Sequence, residues 1–443
     1  MGLRSAILLL AACIGCARRP STSGAEVKPH ACSLDGIPAE VLCATYPVWE
    51  NRDRQAGRRI PLNIVILPPL STPAEADPLV VLAGGPGQAA TDLIQVFFRN
   101  RDLRAHRQVV FIDQRGSGGS NPLNCDLYGS PPDPKRILAG PFPVDAVRAC
   151  RQRLQAIADL GQYTTSASMD DVDDVRRWLG FDMINLWGGS YGTRAAQVYL
   201  RRHGVQVRAI VLDGVLPVDE LVPLHQPATA QRAMDLFLAR NRVAFPDLER
   251  RFHSLFDPGK PPSIGLLEGI RHAMYGGDPR ALPDLIRRAA TGDPAPLQQL
   301  AIDAEIGLSG LSIGLNLSIT CAEDIPFLDD ATIARETAGT FLGDGRIQRQ
   351  RAACREWVAG PVPRDLHEPV RSEVPVLLFS GGRDPVTPPA FGEHVAAALP
   401  NSRHIVFPDS AHGNSSPCAR QLLSDFIAAP SPRTLNAACV PTQ

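Results

Sequence analysis

"MINLWGGSYGTRAAQVYLRRHG", residues 183–204, joins a mostly apolar run to an amphipathic one through a knot of glycines around a single serine. Residues 183–187 read as a short buried strand, whereas Ala195, Ala196, Val198 and Tyr199 recur at helical spacings before Gly204 offers a C-cap. Ser190 therefore falls on the turn between them. Passing from strand to helix within about three residues forces the serine backbone into a sparsely allowed region, and the neighbours two before and two after must lack a β-carbon. Gly188 and Gly192 meet that demand. The stretch carries a G-x-S-x-G elbow, a turn that lifts the serine hydroxyl clear of a sheet.

The pattern continues outward from this unit. Residues 60–67, 79–83, 107–113, 207–215, 374–379 and 404–407 read as further strands. Residues 169–180 read as a helix, with acidic residues in the first turns, Ser168 as a cap and Gly180 at the end. Strand and helix alternate, which predicts a mostly parallel sheet with helices on both faces. From about 216 to 371 the texture changes: no strongly β-branched run survives, and helical segments at 228–241, 264–275 and 281–290 recur between prolines. This interval reads as an inserted helical cap that divides the core into 31–215 and 372–443, with a closing helix at 418–428. Such a cap is expected over the carboxyl edge of the sheet, where folds of this kind bind ligands.

A neutral serine hydroxyl is a weak nucleophile and needs a base within hydrogen-bond reach, oriented by an acid. His412, in "PDSAHGN", directly follows the last strand and is the expected base. His404 lies at the start of that strand, on the opposite edge, while His225 and His272 fall in the cap and at most line the pocket. Three aspartates end strands: Asp113, Asp213 and Asp384. Chain order Ser, Asp, His singles out Asp384, 28 residues before His412, with Asp213 the runner-up. Asp113 reads as a loop brace paired with Arg115, and Asp409 as a turn former. The charge on a tetrahedral intermediate also needs backbone N–H donors. Tyr191, at the helix start, supplies one; Gly85 or Gly84 in "AGGPG" supplies the other, since Pro86 has no N–H. The chemistry calls for no cofactor, and no C-x-x-C or clustered His/Cys pattern argues for a metal.

Taken in order, "GGPG" (84–87), "DQRGSGGS" (113–120), "WGGSYGT" (187–193), "GGRDPVTP" (381–388) and "AHG" (411–413) resemble the α/β-hydrolase serine peptidases of the proline iminopeptidase and tripeptidyl aminopeptidase family. The resemblance spans most of the chain. It implies an α/β-hydrolase fold with an inserted helical cap, Ser190 as nucleophile, Asp384 as acid, His412 as base, and oxyanion donors in the GGPG turn and at Tyr191. It also implies peptide substrates, shortened from their free N-termini. Iminopeptidases commonly read H-G-G-P-G where this chain has Ala83, which leans towards the tripeptidyl-type branch. Recognising an ammonium calls for carboxylates near the pocket. "TCAEDIPF" offers Glu323 and Asp324 beside Cys321, similar to tripeptidyl-type members; the alternative is a solvated acidic pair capping a helix or turn. Two other functions suit the same residues: a carboxylesterase or lipase using this triad, and a non-catalytic surface lipoprotein.

The N-terminus places Arg4 before an apolar segment, 6–12, too short to cross a hydrocarbon core that needs about 20 residues, and so reads as an export signal. "LAAC", ending at Cys13, resembles the bacterial lipoprotein box, and Cys16 is the rival lipid acceptor. A signal peptide over 1–15 and a tether over 16–30 follow, with attachment to a membrane through lipid; plain cleavage is the alternative. The expected location is the periplasm or cell envelope of a bacterium. Arginine far outnumbers lysine, a bias in keeping with a GC-rich bacterial genome. The remaining eight cysteines suit an oxidising compartment, and nearest-neighbour pairing gives 32–43, 125–150, 321–354 and 418–439. A formal net charge of −1, with no basic stripe, argues against nucleic acid as a partner.

Overall fold

Strands that are apolar on both faces must be covered twice. The computed structural model describes residues 26–256, 261–276, 279–308 and 310–441. The expected signal peptide, the lipidation candidates Cys13 and Cys16, and residues 16–25 of the expected tether therefore lie outside the described residues. The strands are β1 (Val27–Cys32), β2 (Val41–Trp49), β3 (Arg59–Leu67), β4 (Leu79–Leu82), β5 (Val109–Ile112), β6 (Ile184–Gly189), β7 (Val207–Asp213), β8 (Val376–Gly381) and β9 (Ser402–Phe407). They form one sheet in the order β1-β2-β3-β5-β4-β6-β7-β8-β9. The first three strands run antiparallel to their neighbours, and the other six are mutually parallel.

Alternation then assigns each central strand to two cores. Val80, Leu82, Leu186, Ile210 and Leu378 pack with Met169, Val172, Ala195 and Tyr199. Leu79, Val81, Phe111, Val211 and Phe379 pack on the opposite face beneath Phe97, Leu422 and Phe426. The chain belongs among α/β layered folds, and its parallel strands all point their carboxyl ends to one edge.

Two strands escaped the sequence reading. β1 begins inside the segment read as tether and is almost wholly exposed, so no burial pattern marks it. β2 carries Pro47, which weakens a strand signal. The helix expected from 169 in fact spans Thr165–Trp178, capped by Thr164, whose hydroxyl accepts from Ala167 N at 3.3 Å. Ser168 is not the cap: it lies buried within the helix, because Thr165, Ser166 and Ser168 all pack inward.

Among the described residues, eight α-helices and no strand come between β7 and β8. The first five, from Gln226–Asn241 through Ile264–Ala273 and Leu282–Ala290 to Ala295–Ile306, share a core of their own around Phe237, Phe252, Ile270, Ile286 and Leu297, whereas Ile313–Glu323 packs into the sheet core through Leu315, Leu317 and Ile319. The cysteines pair as Cys32–Cys43, Cys125–Cys150, Cys321–Cys354 and Cys418–Cys439, with Cα separations between 5.1 and 5.8 Å. No helix of the described residues is long and apolar enough to cross a membrane.

Candidate active site

The elbow is set by backbone sterics. Ser190 has φ 55° and ψ −123°, well outside the regions open to most residues, between the end of β6 and the helix Tyr191–His203. A β-carbon on Gly188 would sit 2.4 Å from the Gly192 carbonyl oxygen, and one on Gly192 2.0 Å from that of Leu82. The turn is pinned from outside by Ser190 N donating to the Asp213 carbonyl at 2.9 Å. Thr193 Oγ1 donates to the Ser190 carbonyl at 2.6 Å and accepts from Leu216 N at 2.7 Å.

Asp384 and His412 leave the ends of β8 and β9. His412 Nδ1 lies 2.9 Å from Asp384 Oδ2, and the Asp384 carboxylate is fully buried. Val386 N and Thr387 N donate to its Oδ1 at 2.7 and 2.9 Å, and Thr387 Oγ1 donates to Oδ2 at 2.7 Å. Burial opposes ionisation of Asp384, but His412 and the Thr387 hydrogen bonds outweigh it and hold the carboxyl below its usual range. Burial likewise opposes the imidazolium of His412, yet Asp384 beside it lifts the ring above the ordinary histidine value. With Nδ1 turned to Asp384, Nε2 is the nitrogen left to take a proton.

Ser190, His412, Gly84, Gly85 and Tyr191 all line one cavity of about 710 Å³. A β-carbon on Gly84 would lie 3.1 Å from that of Ser190, which brings the GGPG turn against the serine. Gly84 N donates to Gln88 Oε1 at 3.3 Å, so of the two candidate donors Gly84 is the one already engaged. Tyr191 opens its helix, so its N–H has no carbonyl four residues back within that helix.

The other aspartates serve elsewhere. Asp213 accepts from Asn414 N at 3.1 Å and thereby braces the His412 loop. Burial pushes its carboxyl up to about 7. Asp113 is a brace, as read, but its partners are Asn63, Thr91 and Gly119. Arg115 does not pair with it: fully buried, it forms a fork with Asp171 at 2.6 and 2.7 Å. Asp409 pairs with Arg383 on the surface. His404 is engaged by Ser380 Oγ at 2.9 Å. His225 and His272 line the cavity, against Glu220 and Glu305 respectively.

Glu323 and Asp324 are not on the cavity wall. Glu323, 1% exposed, accepts from Thr165 N at 2.7 Å and Thr165 Oγ1 at 2.6 Å, and burial pushes its carboxyl up to about 7. Asp324, fully buried, pairs with Arg194 at 2.9 Å. Both face the core helices beneath them, and neither is the solvated pair of the alternative reading. The carboxylates that do face the cavity are Asp92, Asp126, Glu220 and Glu305, against the guanidiniums of Arg271 and Arg346.

Two residues of the site went unread. Thr387 stands three positions after Asp384 in "RDPVTP", the spacing of a side-chain-to-backbone turn, and that signal was available. Tyr275, whose carbonyl accepts from His412 N at 3.0 Å and whose ring centroid lies 5.4 Å from the imidazole, has no local signature.

The fold and the site together define a class: residues 77–415 match the model of the alpha/beta hydrolase fold, and the chain belongs to that family of enzymes. Within it, the chain is similar to the serine protease Hip1 of Mycobacterium tuberculosis, 25% identical over 434 residues, covering 83% of this chain and 80% of the relative. It is also similar to a proline iminopeptidase of Neisseria gonorrhoeae, 27% identical over 138 residues, about a third of each chain. Among solved structures, the proline iminopeptidase of Mycobacterium smegmatis superposes with a TM-score of 0.42 at 16% identity, covering 87% of this chain and 97% of that one.

Proposed function

We propose that this chain is an exported serine aminopeptidase that releases residues from free peptide N-termini through an acyl-enzyme on Ser190. The observation that carries the reading is the Asp384–His412 hydrogen bond, opening on the same cavity as a serine held at positive φ. His412 Nε2 takes the Ser190 proton as Oγ attacks the scissile carbonyl. The oxyanion that forms is met by the N–H groups of Gly85 and Tyr191. His412 then gives its proton to the departing amine, and water, activated in the same way, releases the acyl group.

Two features favour a peptide over other acyl donors. The relative matched along most of the chain is named a serine protease. Four carboxylates against two guanidiniums on the cavity wall suit a substrate bearing an ammonium. Four disulfides support export, because such bonds persist in oxidising compartments. Anchoring through a lipidated Cys13 or Cys16 belongs to the same proposal. A second reading, a carboxylesterase, is favoured by the apolar part of the wall, where Leu127, Ile137, Phe142, Leu308 and Leu311 cluster.

Arylamides of one to three residues, with and without an N-terminal blocking group, decide between them. Turnover of the free forms and silence towards the blocked ones support the aminopeptidase. Faster turnover of blocked substrates and simple esters removes that reading in favour of the esterase.

A further inference from the structure

The two backbone donors assigned to the oxyanion come from separate segments, the turn after β4 and the start of the helix after β6. Donors of this kind act only if they are fixed before charge develops. One element reaches both, the first directly and the second through Thr165. It is the helix Ile313–Glu323 of the insertion, eleven residues and so about 16 Å long.

At its N-terminal end, Ser312 N donates to the Gly87 carbonyl at 2.9 Å and Asn316 Nδ2 to the Pro86 carbonyl at 3.3 Å. The approach is close enough that Gly87, at φ +112°, has no room for a side chain: a β-carbon would lie 2.6 Å from the Ser312 carbonyl oxygen. At the C-terminal end, the Glu323 carboxylate grips Thr165 by its N–H and hydroxyl, and Thr165 Oγ1 lies 2.7 Å from Tyr191 Oη. All three side chains of that chain are at most 2% exposed. With Glu323 ionised, the Thr165 hydroxyl donates to it and the tyrosine hydroxyl donates to Thr165, a directional relay ending on the residue after the nucleophile. The helix itself is held by Cys321–Cys354 and by Gln350 Nε2 donating to Thr320 Oγ1 at 2.9 Å.

We propose that the helix Ile313–Glu323 is a strut that sets the separation of the Gly85 and Tyr191 N–H groups, with Asn316 and Glu323 as positioning residues at its two ends. The proposal rests on Ser190 being the nucleophile. It gives the acidic residue of "TCAEDIPF" a role in catalysis that involves no contact with substrate.

The test compares Asn316→Ala, Glu323→Gln and Thr165→Val with Thr165→Ser, which keeps the hydroxyl. Each is assayed on a free-N-terminal peptide arylamide and on a small aryl ester, and titrated with a peptidyl trifluoromethyl ketone, which forms a tetrahedral adduct bearing the oxyanion. Because losing a whole donor lowers the rate by about 10²–10³, displacing one is expected to lower kcat by about 5- to 50-fold. KM should stay within about twofold and the ketone should weaken by the same factor as kcat/KM, since the loss falls on the transition state. Thr165→Ser should restore most of the rate. A rise in KM for the peptide alone, with kcat and ketone affinity unchanged, overturns the strut and returns Glu323 to substrate binding. Unchanged parameters in all folded variants overturn it as well. Labelling of wild-type Ser190 by a fluorophosphonate separates the two failures: unlabelled enzyme sinks the nucleophile reading, whereas labelled enzyme with indifferent variants sinks only the strut. An enzyme active on the ester and not on peptides removes the aminopeptidase and still tests the strut.

Discussion

At the carboxyl edge of the sheet, Ser190, Asp213, Asp384 and His412 leave their strands within a few residues of the end, and backbone contacts fix where they point. Across the cavity the inserted helices are tied by buried side-chain pairs. Glu268 takes Arg271 and Arg346, Asp324 takes Arg194, and Glu305 takes His272 and Tyr128. The difference separates two kinds of failure. A substitution at the sheet edge removes chemistry from a molecule that still folds, because the strands beneath do not depend on the side chain removed. A substitution at one of these pairs strips a partner from a buried charge, and the fold suffers first.

The largest effect tests the first half of that contrast. Ser190→Ala is expected to lower kcat by about 10⁶ and to abolish fluorophosphonate labelling, with an unfolding midpoint close to wild type. A variant that kept its activity would move the chemistry away from the sheet edge. Asp384→Asn comes next, with a loss of about 10⁴ in kcat, since an amide cannot hold the imidazole in the required tautomer as a carboxylate does. Circular dichroism and thermal melting check that the loss is chemical.

The same contrast explains what was legible in the sequence. The elbow, the strand ending in Asp213, the turn bearing Asp384 after β8, and the loop bearing His412 are dictated by local rules: where a β-carbon fits, where a strand stops, what a turn accepts. Gly188 and Gly192 could be read at sight because any side chain there would strike backbone. The insertion obeys no such rule. Its helices at 264–273 and 282–290 were legible from periodicity, but the partner of each charged residue was not, since Arg194 and Asp324 lie 130 positions apart. That is why Glu323 and Asp324, placed beside the pocket by resemblance, prove to face Thr165 and Arg194. Arg115 misled for the same reason: its acid is Asp171, 56 residues away, and not Asp113, two residues away.

Asp324→Ala probes the second half. It leaves the Arg194 guanidinium, 1% exposed, without its carboxylate, and an uncompensated buried charge costs about 3–5 kcal/mol. Urea unfolding should register that loss. The double variant Arg194→Met/Asp324→Leu should recover most of it, because apolar groups of similar volume replace a buried pair at little net loss. If the single variant is as stable as wild type and only KM for free-amine peptides rises, the insertion serves the substrate directly and the contrast drawn above fails.

The smallest effect separates two carboxylates at the sheet edge itself. A histidine works as a base only when neutral, so with His412 in the proposed role kcat/KM is expected to fall about tenfold per pH unit below the pKa of the ring. Burial favours the neutral ring. Asp384, and after it Asp213, favour the charged form, and Arg271 across the cavity opposes them; the net shift is upward, so the acid limb lies above the ordinary value of 6.5. Asp213→Asn removes one of the negative charges that lift the ring. The limb should therefore move to lower pH, with the plateau kept to within about tenfold, because Asp384 still holds Nδ1 at 2.9 Å. Since burial pushes Asp213 itself up to about 7, the wild-type limb belongs to the coupled pair, and the variant should leave a simpler, single-group titration. A plateau that collapses in Asp213→Asn and survives in Asp384→Asn would exchange the two roles, and would mean that the carboxylate bracing the His412 loop, and not the one bonded to its ring, orients the base.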